Sequence, residues 1–93
     1  MNNQIEPMPK EVKALEGYLL YIKFKNGEEK IYDMNDMLKF DYYKNLRDKE
    51  VFKTVETCGV TLVWATGEDI ASEKIYFDSI PINEYKLEIK EME

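Results

Sequence analysis

Residues 17–33, GYLLYIKFKNGEEKIYD, read as two strands joined by a tight turn, and the rest of the chain is placed from them. Asn26 and Gly27 tolerate the positive φ angles of a type I′ turn, the two-residue connection whose twist matches its flanking strands. With that loop Ile22 stands opposite Ile31 and Phe24 opposite Glu29, so Leu20, Ile22, Phe24 and Ile31 share one core face. Lys23, Lys25, Glu28 and Lys30 then face water. The pattern predicts an α+β fold: a small, mainly antiparallel sheet built around an Asn-Gly β-hairpin, with short helices.

Upstream, Val12 to Leu15 start a first strand that Gly17 turns into the hairpin. Downstream the period changes. Asp33 or Asn35 caps a helical turn that buries Met34, Met37 and Leu38. Phe40, Tyr43, Leu46, Val51 and Phe52 are spaced more as on helices than on a strand, with Asp48 as an N-cap before Val51 and Phe52. Extended pattern resumes with Val55 and then with Val60, Leu62 and Trp64, joined at Cys58-Gly59. Thr66-Gly67 ends that strand, and Asp69 or Ser72 caps a last helical turn through residues 74–76. Ile80-Pro81 breaks it. The tail reads two ways: Tyr85, Leu87 and Ile89 alternate as in a strand, whereas Ile82, Tyr85, Ile89 and Met92 fall near one helical face.

A chain of 93 residues has room for one domain. Residues 1–10, with Pro7 and Pro9, read as a flexible lead-in, 11–80 as the α+β domain and 81–93 as an acidic C-terminal extension. The N-terminus lacks the apolar core of a signal peptide and no stretch is long enough to span a bilayer, so the expected location is the cytoplasm. The formal net charge of −6 is uneven. Residues 1–33 carry six acids and five bases, 34–60 five of each, and 61–93 eight acids and three bases. Such a balance repels phosphate backbones and draws a basic protein to the last third.

Chemistry-bearing constellations are absent from the pattern. With no histidine the commonest catalytic base is missing, and the single Cys58 has no evident activating neighbour. We expect no catalytic residues, no metal ligands and no cofactor. Glu68 and Asp69 offer neighbouring carboxylates beside Gly67, a pattern that a helix cap explains as simply as a metal site. Residues 39–47 interleave Lys39, Lys44 and Arg47 with aromatics, but Asp41, Asp48 and Glu50 dilute the charge, so direct nucleic-acid binding is disfavoured.

Three stretches, the F-x-N-G-E turn at Phe24 to Glu28, Asp33 closing its strand, and the W-x-x-G-x-D-I run at Trp64 to Ile70, resemble a family of small bacterial proteins termed domain of unknown function 2442. The resemblance spans roughly residues 11–76. It implies a compact α+β domain without established activity, and a paired, antitoxin-like role beside another short protein. Glu29, where members more often place an apolar residue, and the extension after Tyr76 depart from the pattern.

Seven tyrosines and one tryptophan in so short a chain point toward contact surfaces, since both residue types are enriched where partners meet. The leading expectation is therefore a non-enzymatic protein-interaction module using Trp64, Asp69, Tyr76, Tyr85 and Leu87, with an unidentified partner protein of basic character. Homo-oligomerisation through a strand edge is a second route. The alternative is a small-ligand binder or weak enzyme around Trp64, Asp69 and Tyr76, with Trp64 as a simple core residue as the plainest reading.

Overall fold

The structure, a computed structural model, describes residues 7–93. Residues 1–6 of the lead-in lie outside the described residues. Strands β1 (Pro9–Leu15), β2 (Leu19–Phe24) and β3 (Glu29–Asp33) pair antiparallel in chain order. A short β7 (Ile80–Pro81) joins β3, giving a four-stranded sheet in the order β1-β2-β3-β7. A second antiparallel sheet holds β4 (Glu56–Cys58), β5 (Thr61–Val63) and β6 (Asp69–Ala71). Helices α1 (Lys49–Phe52) and α2 (Ser72–Asp78) are short, and 3-10 turns cover Met37–Lys39, Asp41–Arg47 and Ile82–Glu84. The α+β class is as expected.

The connection between β2 and β3 corrects the two-residue reading. The Phe24 N–H donates to the Glu28 carbonyl at 2.8 Å and the Gly27 N–H to the Phe24 carbonyl at 2.9 Å, with Gly27 at φ +92°. Lys25, Asn26 and Gly27 therefore form a three-residue loop ending in a glycine bulge, and Asn26 keeps negative φ. One extra loop residue moves the register by one. Ile22 faces Lys30 rather than Ile31, and Ile31 faces Tyr21. Ile31 thus lies on the reverse face, and Glu28 and Lys30 come round to the side of Phe24 instead of facing open water. Gly27→Ala forces a side chain into this left-handed position and is expected to destabilise by about 1–2 kcal/mol, read from the shift in denaturation midpoint.

The same turn recurs between β5 and β6. The Trp64 N–H donates to the Glu68 carbonyl at 3.0 Å and the Gly67 N–H to the Trp64 carbonyl at 2.9 Å, with Gly67 at φ +101°. The segments FKNGE (24–28) and WATGE (64–68) are thus local copies: an aromatic, two loop residues, a left-handed glycine and a glutamate. Asp69 consequently opens β6, opposite Val63, and is not the helix cap that its spacing suggested. Helix α2 starts after Ala71 without a side-chain cap.

Alternation along the sheet sends Val12, Ala14, Leu20, Ile22, Phe24 and Tyr32 toward one side, where they pack with Met34, Leu38, Leu46, Phe52, Leu62, Ile70 and Ile75. Each fully buried large side chain contributes roughly 1.5–3 kcal/mol. In the helical middle Asp48 caps α1 as expected, whereas the 3-10 turn Met37–Lys39 starts from Asp36 without a side-chain cap, and the Asp33 carboxylate serves the turn before it. The Asp33 carboxylate accepts the Asn35 N–H at 2.8 Å, and the Asp48 carboxylate accepts the Glu50 N–H at 2.9 Å. Pro9 and Lys10, assigned by composition to the lead-in, belong to β1, because proline is tolerated as a strand's first residue. Val60 sits exposed in the β4–β5 turn, so only Leu62 and Trp64 of that alternating trio are buried.

Beyond β7 the chain is neither a strand nor a helix through Tyr85–Ile89. After the 3-10 turn at Ile82–Glu84, set against β3, it runs irregularly with a bend at Leu87 and pairs with β1 at a Leu15–Glu91 bridge. β7 and β1 are the two edges of the sheet, so this segment crosses from one to the other. Ile89 gathers with Lys13, Leu15 and Tyr21, all on the reverse face, which places the crossing there.

Candidate interaction surface

Two corners of the molecule are built alike, each on one of the repeated turns. In the first, the Asn26 amide donates to Glu28 Oε2 at 2.8 Å, and the Tyr76 hydroxyl donates to the same oxygen at 2.7 Å. Tyr76 comes from α2, so the turn and the helix are tied together. Its ring stands edge-on to Phe24, with centroids 5.2 Å apart. Lys30 Nζ lies 4.1 Å from the ring centroid and donates to the Tyr76 carbonyl at 2.8 Å. The hydrogen bond to Glu28, with burial and the carboxylate's charge, holds the Tyr76 phenol above its ordinary value.

Phe77 follows, edge-on to Tyr76 at 5.3 Å yet 67% exposed, whereas the exposed Ile80 on β7 stands opposite Ile31 and so faces the reverse side of the sheet. Ile75, Tyr76 and Phe77 are three consecutive large side chains on a seven-residue helix. At about 100° per residue they cannot all face inward. Ile75 takes the core, Tyr76 the boundary, and Phe77 is left outside. That geometric necessity is the sequence signal for Phe77, which a count of tyrosine and tryptophan alone does not give. Lys74 pairs with Asp78 at 2.9 Å and Glu29 turns to the reverse face, where it accepts the Tyr21 hydroxyl, so this corner itself carries the Glu28 carboxylate and the Lys30 ammonium on either side of Tyr76.

In the second corner the Thr66 hydroxyl donates to Glu68, and the Asn45 amide donates to Glu68 Oε2 at 3.0 Å. Thr66 and Glu68 repeat the positions of Asn26 and Glu28. Glu68 is only 5% exposed. Burial pushes its carboxyl up, but hydrogen bonds from Thr66, its own backbone and Asn45 outweigh that and hold it below the ordinary range. Asp69 beside it accepts the Tyr42 hydroxyl at 3.2 Å, and its carbonyl accepts the Tyr43 hydroxyl at 2.9 Å. Both acids are thus spoken for by the 3-10 segment, and among the described residues no group of three or more acids or cysteines is placed to hold a metal.

Trp64 corrects the surface reading. It is 3% exposed, its indole N–H donates to the Phe52 carbonyl at 3.0 Å, and it packs near the Phe52 ring at 6.2 Å. Its side chain positions the second turn and touches no solvent-facing surface. Tyr85 is half-buried and Leu87 is 72% exposed, both on the crossing segment. The five expected residues therefore divide: Tyr76 lies at the first corner, Asp69 at the second, Tyr85 and Leu87 on the tail, and Trp64 inside. In residues 39–47, Lys39 pairs with Asp36 at 3.3 Å and Arg47 Nε donates to the Leu38 carbonyl at 2.9 Å, which ties down two of the three cations there. Cys58 is free and exposed.

These features define an α+β domain of two small antiparallel sheets clamped to short helices by paired turns. The chain belongs to the family described as Protein of unknown function (DUF2442), whose family model matches residues 9–81. No curated protein and no solved structure matches it. Among the described residues no helix is long and apolar enough to cross a membrane.

Proposed function

We propose that this chain is a non-enzymatic protein-interaction module of the cytoplasm whose contact surface is the Tyr76–Phe77 corner. The observation that carries this reading is Phe77, a large aromatic left 67% exposed on a helix otherwise anchored to the sheet. A rigidly mounted aromatic on an acidic stretch of chain suits a basic protein partner: Phe77 supplies apolar area, and the excess of acids in residues 61–93, eight against three bases, supplies steering. The antitoxin-like pairing implied by the family resemblance is the more specific form of the same proposal. The ligand-binding alternative loses support because Trp64 is sealed, and Asp69 and Tyr76 are held by different elements.

The test compares co-purification from the native host of the full chain, Phe77→Ser and the control Val60→Ser, which alters an equally exposed residue in the β4–β5 turn. A partner retained by the parent and by Val60→Ser, weakened at least tenfold by Phe77→Ser and released by salt, is the expected result. Equal retention by Phe77→Ser, with unchanged circular dichroism, would overturn the assignment of this corner.

A further inference from the structure

The tail beyond residue 81 lies outside the family match, yet it completes the sheet. β1 is an edge strand, and the tail pairs with its open side: the Glu16 N–H donates to the Lys90 carbonyl at 2.7 Å, and the Met92 N–H to the Ala14 carbonyl at 3.0 Å. Met92 is buried in the main core. An edge covered by main-chain pairing is the arrangement by which one chain adds a strand to another. We propose that residues 82–93 form an exchangeable strap, and that its intermolecular seat is β1 of a second copy of this chain.

Three observations carry the exchange. The tether is slack: β1 and β7 lie three strand spacings apart, roughly 14 Å, while residues 82–90 can reach roughly 30 Å when extended. Closure onto its own β1 is therefore not enforced by length. The strap is also flanked by open clefts of about 220 Å³ on either side of Glu91, one floored by Val12, Ala14 and Val55 and the other by Leu15 and Tyr21. Third, the strap leaves Leu87 72% exposed and Ile89 38% exposed, apolar area that the closed monomer does not use.

Exchange preserves every strap contact and changes only the hinge. Two-fold symmetry then brings the two hinges past one another, where Leu87 of each copy gains an apolar neighbour. Because the strap is tethered to its own β1, its effective concentration there favours the monomer in dilute solution and exchange on concentration or hinge shortening. This surface is separate from the Phe77 corner and does not depend on it.

The experiment uses the full chain with Cys58→Ser, carrying Glu16→Cys and Lys90→Cys at a facing pair on β1 and the strap. Oxidation is followed by denaturing electrophoresis without reductant. The expected result is a cross-linked monomer in dilute samples and a rising fraction of cross-linked dimer in samples concentrated and re-equilibrated before oxidation. A companion chain lacking residues 83–88 retains only three hinge residues, a reach of roughly 10 Å, and is expected to double in mass by light scattering. Leu87→Ser in the full chain should lower the dimer fraction several-fold without changing its circular dichroism. Cross-linking confined to the monomer at every concentration, or a hinge-shortened chain that remains monomeric, would overturn the proposal. Failure here leaves the co-purification result at Phe77 untouched.

Discussion

Trp64→Ala is expected to destabilise the domain by about 3–5 kcal/mol, the range for deleting a buried large aromatic. Two contributions add up at this position. The indole is 3% exposed, so nearly all its area returns to a cavity lined by the core. Its N–H bond to the Phe52 carbonyl is lost, leaving that carbonyl without this partner. Since domains of this size have total stabilities of about 5–15 kcal/mol, the variant should be partly unfolded at moderate temperature. Trp64→Phe keeps an aromatic beside Phe52 and loses only the hydrogen bond and part of the area, so it should fall between parent and Ala. Urea denaturation followed by circular dichroism is the suitable readout, because Trp64 is the chain's one tryptophan and its fluorescence disappears with it. A loss below about 1 kcal/mol for Trp64→Ala would contradict the packing assigned to it. Any loss of partner binding in this variant should follow its loss of folded protein, in contrast to Phe77→Ser.

The contrast between Trp64 and Phe77 also shows what sequence pattern can and cannot carry. Alternation and capping are local, and they marked β2, β3, the Asp48 cap and the strand around Leu62 from residue identity alone. Loop length is decided by one residue's conformation. Asn-Gly fits a two-residue I′ turn or the last two places of a longer loop equally well, and the choice moved Ile31 to the opposite face. The third strand of the second sheet, Asp69–Ala71, is short and follows a glycine, so its acid looked like a cap. Exposure is less legible still. A tryptophan enriched at interfaces is equally at home in a small core, and only the neighbours that surround Trp64 decide. The tail left both periods open because it obeys neither: its pairing is confined to residues 90–92, where main-chain bonds to β1 replace side-chain periodicity.

Removing the Glu68 carboxylate should show that the two repeated turns are clamps of unequal depth. In both, the glutamate after the left-handed glycine gathers one donor from its own loop and one from a distant helix or 3-10 segment, Tyr76 for Glu28 and Asn45 for Glu68. Glu28 is exposed, and its bonds compete with water, so Glu28→Ala should change stability by at most about 1 kcal/mol. Glu68 is buried, and Glu68→Ala leaves the Asn45 amide and Thr66 hydroxyl without their acceptor, for an expected loss of about 1–3 kcal/mol. The pH dependence has a fixed sign. Because the folded carboxyl is held below the unfolded value of 4.5, its contribution is present above that pH and disappears as the pH falls through the lower folded value. Glu68→Gln keeps the shape and one acceptor but cannot ionise, so the difference between parent and Glu68→Gln should be largest near neutrality and shrink in acid. Denaturation midpoints measured from pH 7 down to pH 3 test this directly. A difference that stayed constant with pH would mean that the buried carboxylate's charge does not hold the 3-10 segment to the second sheet.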